Sequence, residues 1–260
     1  MTHARPIAAA QTIPVGGDVQ ANLDQHLRLI AAAAREGAAV VLFPELSLTG
    51  YEMDLARELA FAPDDARLDP LVEAAASNAM IVIAGAPIRC GPRLHIGAVI
   101  IRPEGSVDLY TKHRLGAFGP EAACDGIVPP AEATVFEPGG RDPLVYFNGH
   151  VGAVAVCADT GRPFHPLRAA ARGARTYFAS MFVIPSELAR DERNMRTYAR
   201  EHGMAVVMAN FGGPTGGLAA AGRSGIWSDR GEPLVQLDAS GAGVAVAIEE
   251  DGGWRSMAIM

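Results

Sequence analysis

Three residues able to do chemistry stand just past the ends of apolar runs: Glu45 closes VVLFPE, Lys112 closes VDLYTK and Cys157 closes VGAVAVC. A cysteine attacks as its thiolate, a carboxylate can take the thiol proton, and an ammonium stabilises the negative charge that then appears on the attacked atom. Open α/β sheets bind ligands beyond the carboxyl ends of their strands, so three such residues can converge on one site. Each also has a plainer explanation. A cysteine in an apolar strand is usually a small buried hydrophobe, Glu45 fits a solvated loop, and Lys112 fits the end of an exposed hairpin.

The elements that must position them follow from hydrophobic periodicity. Strands are expected over residues 6–12, 38–43 and 80–87, with helices over 18–36 and 64–78 between them. Asp18 can cap the first helix and Gly37 can end it. Hairpins follow at 95–102 with 106–112, joined by Pro103-Glu104-Gly105, and at 144–147 with 150–156, joined by Asn148-Gly149. The second half alternates again, with a helix over 163–172, a strand over 176–183, a helix over 186–202 and a strand over 205–210. A last hairpin, 224–228 with 233–237, precedes the apolar stretch 244–248. Two α/β halves of this kind suggest two sheets packed together with helices outside. The loop 116–132 is the longest irregular stretch, and loops of that length in compact domains usually carry function.

Composition bounds the reading. The chain has 260 residues, 49% hydrophobic and 20% charged, which suits one globular α/β domain spanning residues 1–260. A net charge of −7 with scattered acidic residues argues against a nucleic-acid or anionic-membrane surface. No segment approaches the roughly 18 uninterrupted apolar residues of a membrane helix, and the N-terminus lacks a signal pattern, so a cytoplasmic protein is expected. Cys90, Cys124 and Cys157 are too few and too far apart for a disulfide framework or zinc ribbon.

The stretches LFPELSLTGY (42–51), YTKHRL (110–115) and VAVCAD (154–159) together resemble the carbon-nitrogen hydrolase, or nitrilase, superfamily. The likeness continues through GARTYFASMFVIP, RTYAREHGMAVVMAN and GRSGIWSDRGEPL, and so covers nearly the whole chain. The resemblance implies a four-layer α-β-β-α sandwich and a Glu-Lys-Cys triad, with Glu45 as general base, Lys112 as stabiliser of the tetrahedral intermediate and Cys157 as nucleophile. It also implies a second glutamate ahead of a Pro-Gly pair, which is Glu132 before Pro138-Gly139, with Glu121 as the alternative. Tyr51, Met181 and Phe182 occupy positions that line the pocket in relatives, and the Ala158 backbone N–H is placed to help hold an oxyanion.

The activity so implied is hydrolysis of a small aliphatic amide through a cysteine thioester, with no metal or organic cofactor. Nitrile or N-carbamoyl hydrolysis by the same triad, and a catalytically silent metabolite-binding member, stay open as alternatives. Pairing into a homodimer or larger homo-oligomer is implied as well. The sequence departs from the family after the cysteine, where DTGRPFHP (159–166) replaces an Arg-Phe-Pro-Glu type segment and puts Phe164 and His165 near the usual glutamate. His165 next to the nucleophile loop is either a substrate-orienting group or a structural helix-start histidine.

Overall fold

Alternate residues of each apolar run belong to different cores, and this fixes the architecture. The computed structural model describes residues 4–119, 122, 128–250 and 253–260. In β1 (Arg5–Gln11), Ile7 and Ala9 pack into one core while Ala8 and Ala10 pack into another. The same alternation holds in β2 (Val40–Leu42), where Val40 and Leu42 oppose Val41, and in β3 (Ile81–Cys90), where Ile81 and Ile83 oppose Val82 and Ala84. A strand apolar on both faces must be covered on both faces. One face meets α1 (Val19–Arg35) and the helix that runs Asp69–Ser77, and the other meets a second sheet.

That first sheet has seven strands. β1, β2 and β3 run parallel at its centre. β4 (Arg93–Ile101) and β5 (Val107–Thr111) extend one side antiparallel, and β12 (Gly243–Glu250) and β13 (Gly253–Ile259) extend the other. The second sheet repeats the plan with six strands. β7 (His150–Val156), β8 (Thr176–Ser180) and β9 (Ala205–Ala209) run parallel, flanked by β6 (Leu144–Phe147) on one side and by β10 (Gly225–Trp227) and β11 (Pro233–Gln236) on the other. Val154, Val156, Phe178 and Val207 face the first sheet, while Ala155, Tyr177 and Val206 face the core shared with α4 (Phe164–Ala171) and α5 (Leu188–His202). Helix, sheet, sheet, helix is the expected four-layer α-β-β-α sandwich. In chain order α2 (Ala56–Leu59) and α3 (Asp69–Ser77) complete the helices around β3.

Local chemistry sets the helix ends. Asp18 Oδ1 accepts the Ala21 N–H at 2.9 Å and caps α1, and Gly203, in the left-handed conformation at φ +61°, ends α5.

Three features differ from the expected elements. β3 and β4 form one long hairpin turned at Gly91-Pro92, where Gly91 takes φ +60°, and β13 forms an edge strand. The strand expected over 176–183 leaves the ladder at Ser180, because the backbone of Met181 to Val183 bonds to groups outside β8. Among the described residues no helix is long and apolar enough to cross a membrane.

Candidate active site

β2, β5, β7 and β8 bring their carboxyl ends to one end of the sandwich, and the candidate residues lie just beyond them. β2 and β5 point the same way, since β2 is parallel to β3 while β4 opposes both β3 and β5. The two sheets are tied there directly, as the Glu45 N–H donates to the Met181 carbonyl at 3.2 Å and Ser180 Oγ donates to the Phe43 carbonyl at 2.9 Å.

The Glu45 loop is fixed from behind. His26, fully buried on α1, stacks on Phe43 at 4.0 Å and bonds through Nε2 to Ser47 Oγ at 2.9 Å. Burial lowers the His26 pKa to about 4, so the ring stays neutral. Beneath the loop lies Gly85, where a Cβ would stand 2.2 Å from the Pro44 carbonyl oxygen and 2.4 Å from the Leu46 nitrogen. Only glycine lets the backbone approach this closely.

Glu45, Lys112 and Glu132 form a buried ion cluster. Lys112 Nζ donates to Glu45 Oε1 at 2.6 Å and to Glu132 Oε1 and Oε2 at 2.8 Å each. These contacts use all three ammonium protons. Glu132 is anchored further by the Tyr51 hydroxyl at 2.9 Å and the Gly116 N–H at 2.7 Å. Glu132 thus shares the Lys112 ammonium with Glu45, while Glu121, the alternative, and Cys124 lie outside the described residues. Burial raises the Glu45 pKa to about 7, with Lys112 opposing the rise and Glu132 adding to it. Burial also works against the Lys112 ammonium, but the combined charges of Glu45, Cys157 and Glu132 outweigh it and raise its pKa. Among the described residues Glu45 Oε2 is buried without a hydrogen-bond partner of ordinary geometry, and the Cys157 side chain is near enough to influence the carboxyl.

Cys157 directly follows β7 and lies in the left-handed region, at φ +42°. A non-glycine residue held there costs on the order of 1–2 kcal/mol, and such backbone is characteristic of functional turns. Its Sγ lies 3.6 Å from the Phe182 carbonyl. Burial first, then the neighbouring Glu45 charge, holds the thiol well above its ordinary pKa. Ala158 is the second residue of the 3-10 turn Cys157–Gly161, where a first-turn N–H has no partner within the turn. Asn210 steadies the Met181 to Val183 segment, accepting the Val183 N–H at 2.9 Å and donating to the Val183 carbonyl at 3.1 Å.

A cavity of about 630 Å³ opens onto Cys157 and Glu132, with Leu115, Phe118, Ala158 and Met181 in its walls. Ala158 and Met181 therefore line this cavity. Tyr51 and Phe182 are instead buried behind the wall, where their rings pack on Phe118 at 5.6 and 5.4 Å, and Tyr51 acts through its bond to Glu132. Sequence reasoning missed the charged side of the cavity, where Glu187, Arg190, Asp191 and Asn194 begin α5. A helix start beside the site, read as a face rather than a span, was the available signal. It also missed Asp159, whose two oxygens accept the backbone N–H groups of His113, Arg114 and Val156 and the Tyr110 hydroxyl. His165 does not line the cavity but sits between Tyr110 and Tyr177.

Known proteins share this arrangement of strands. A family model described as carbon-nitrogen hydrolase matches residues 6–249. A double mutant of the amidase from Nesterenkonia sp. AN1, solved in complex with acrylamide, superposes with a TM-score of 0.82 at 27% identity, over 96% of this chain and 91% of that one. A nitrilase from Pyrococcus abyssi is 27% identical over 93% of this chain and 88% of its own length. A glutamine-dependent NAD(+) synthetase from Mycobacterium tuberculosis is 29% identical over 82% of this chain. This chain aligns with only 34% of the synthetase's length. A match running from β1 into β12, joined to a superposition over nearly the whole fold, places the chain in the carbon-nitrogen hydrolase family, within the nitrilase superfamily.

Proposed function

We propose that the protein hydrolyses small aliphatic amides through a thioester on Cys157. The observation that carries this reading is the buried Glu45 Oε2, without a partner among the described residues, near the Cys157 thiol and in a carboxyl whose other oxygen is held by Lys112. A carboxylate with a pKa of about 7 suits a group that must take and return protons near neutrality.

The steps follow from these atoms. Glu45 takes the thiol proton as Sγ bonds to the amide carbonyl carbon, and the carbonyl π electrons move onto oxygen. Lys112 and the Ala158 N–H stabilise that oxyanion. All three Lys112 protons are engaged at rest, so one bond to Glu132 is exchanged for the oxyanion while Tyr51 and Gly116 keep Glu132 in place. The oxyanion collapses, the C–N bond breaks, and Glu45 gives its proton to the departing nitrogen. Glu45 then draws a proton from water, whose oxygen attacks the thioester. The C–S bond breaks, the acid leaves, and the proton returns to Sγ.

The amide reading is favoured over the nitrile one by the solved amidase, whose variants hold acrylamide or butyramide. The apolar wall around Ala158 and Met181 suits a compact acyl group, with the charged α5 side available to a polar tail. Ammonia release from a panel of aliphatic amides and nitriles tests this. Turnover of nitriles alone would overturn the amide reading, and turnover retained by Cys157→Ala would overturn the nucleophile.

Pairing with a second copy is part of the proposal. On α4, Phe164 and Leu167 are 69% and 53% exposed, large apolar side chains on a helix that directly follows the nucleophile turn.

A further inference from the structure

We infer that Tyr177, His165, Tyr110 and Asp159 form a directed hydrogen-bond chain that positions the nucleophile against the lysine, and that His165 is held in it as the Nε2–H tautomer. The inference rests on the triad proposed above.

The direction is set from the Asp159 end. Asp159 Oδ1 accepts the His113 N–H at 3.1 Å and the Arg114 N–H at 2.8 Å, and Oδ2 accepts the Val156 N–H at 3.2 Å and the Tyr110 hydroxyl at 2.7 Å. Four donors fill the acceptor sites of one carboxylate. Tyr110 has a single proton, which goes to Asp159, so at the 3.0 Å contact with His165 Nε2 the tyrosine oxygen must accept. His165 Nε2 therefore carries the ring proton. Nδ1 is then the bare nitrogen of a neutral ring, and Tyr177 donates its hydroxyl proton to it at 2.9 Å. Every hydroxyl and ring nitrogen in the chain is thereby satisfied, with one orientation throughout.

Protonating Nδ1 would break this order, because Tyr177 is fully buried and its proton would have no acceptor in the chain. Burial lowers the His165 pKa, in keeping with a ring that stays neutral. The other ionisable groups that act on the ring are Asp159, Asp142, His113 and Arg168. His113 stacks on Tyr110 at 5.3 Å, and its ring centre lies 5.6 Å from that of His165.

What the chain positions is clear from its last member. Asp159 binds the end of β7 just before Cys157 and, at the same time, the two residues after Lys112. It is the one side chain among the described residues that bonds both strand ends. Tyr110 enters from β5, His165 from α4 and Tyr177 from β8, so three elements hold one carboxylate still. None of the four touches the cavity, so they are positioning residues.

The test has a spectroscopic arm and a kinetic arm. Long-range ¹H–¹⁵N correlation of the intact protein, with the His165 signal identified by its loss in His165→Gln, reads the tautomer. A protonated Nε2 beside a bare, hydrogen-bonded Nδ1 is expected. An Nδ1–H tautomer, or a doubly protonated ring at neutral pH, would overturn the chain's direction. Tyr110→Phe should lower kcat about ten-fold with KM changed less than about two-fold, and slow iodoacetamide labelling of Cys157 in parallel. His165→Gln, which keeps a donor at the Nε2 position, should retain most activity, whereas His165→Leu should lose as much as Tyr110→Phe. Equal losses in Gln and Leu variants, or a Tyr110→Phe effect confined to KM, would overturn the positioning role. The tautomer and the labelling rate need no substrate, so they stand even if the proposed amide activity fails.

Discussion

Lys112 and Glu45 meet at 2.6 Å with neither side chain exposed to solvent, and Glu132 holds the same ammonium from the other side. Burial raises the proton affinity of Glu45, with Lys112 opposing the rise and Glu132 adding to it. The fold thereby sets a carboxyl that titrates near neutrality beside a thiol held well above its ordinary pKa, which suits the proposed base and nucleophile.

Glu45→Gln keeps the shape and the contact with Lys112 but removes the proton acceptor. General-base removal should lower kcat by a factor on the order of 10² to 10⁴. Steady-state ammonia release measures it, with circular dichroism confirming an unchanged fold. A loss below about five-fold would mean that Glu45 is not the base.

The pH profile should carry the Glu45 signature. The active form is the carboxylate, so kcat/KM should rise with pH through an acid limb near 7. Stability moves the opposite way. Glu45 binds its proton more tightly folded than unfolded, so its stabilising share is complete below its ordinary value of 4.5 and is lost as pH rises through about 7. Glu45→Gln should therefore raise the melting temperature more at pH 8 than at pH 4. Parallel melts of both proteins check this sign.

Removing the cation should damage folding as well as catalysis. Lys112→Met leaves Glu45 and Glu132 buried without compensation, and breaking a buried pair in this way costs about 3–5 kcal/mol. Urea unfolding at pH 8 should show that loss, and it should shrink at pH 5 as Glu45 takes up a proton.

A charge on α4 should separate the copies. Phe164→Glu with Leu167→Glu should turn a dimer into a monomer in sedimentation at micromolar concentration. A wild-type monomer under those conditions would overturn the pairing.

Much of this was legible in the sequence because strand ends announce themselves. Glu45, Lys112 and Cys157 each close a strand-like run, and two α/β halves pointed to two packed sheets with helices outside, while the four-layer sandwich itself was implied by the family resemblance. Glu132, ahead of Pro138-Gly139, was implied by the same resemblance, with Glu121 as the alternative. Other features were hidden for physical reasons. β13 is an exposed edge strand whose residues are mostly solvated, so its apolar signal is weak. Met181 to Val183 reads as strand by composition yet leaves the sheet, because Asn210 and the Glu45 backbone compete for its hydrogen bonds. Tyr51 and Phe182 look like pocket residues in one dimension, but their rings lie one layer behind Phe118. The charged residues that open α5 were invisible as site residues, since a helix pattern does not say what lies opposite its first turn.

The central claim is the thioester on Cys157, and intact-protein mass spectrometry tests it most directly. Wild type and Cys157→Ala would be exposed briefly to a panel of small aliphatic amides and quenched in acid, with ammonia recorded in parallel. The account predicts a single acyl adduct on the wild-type chain alone, mapped to Cys157 and formed together with ammonia. Ammonia release without any adduct on Cys157, or at an equal rate from Cys157→Ala, would contradict it.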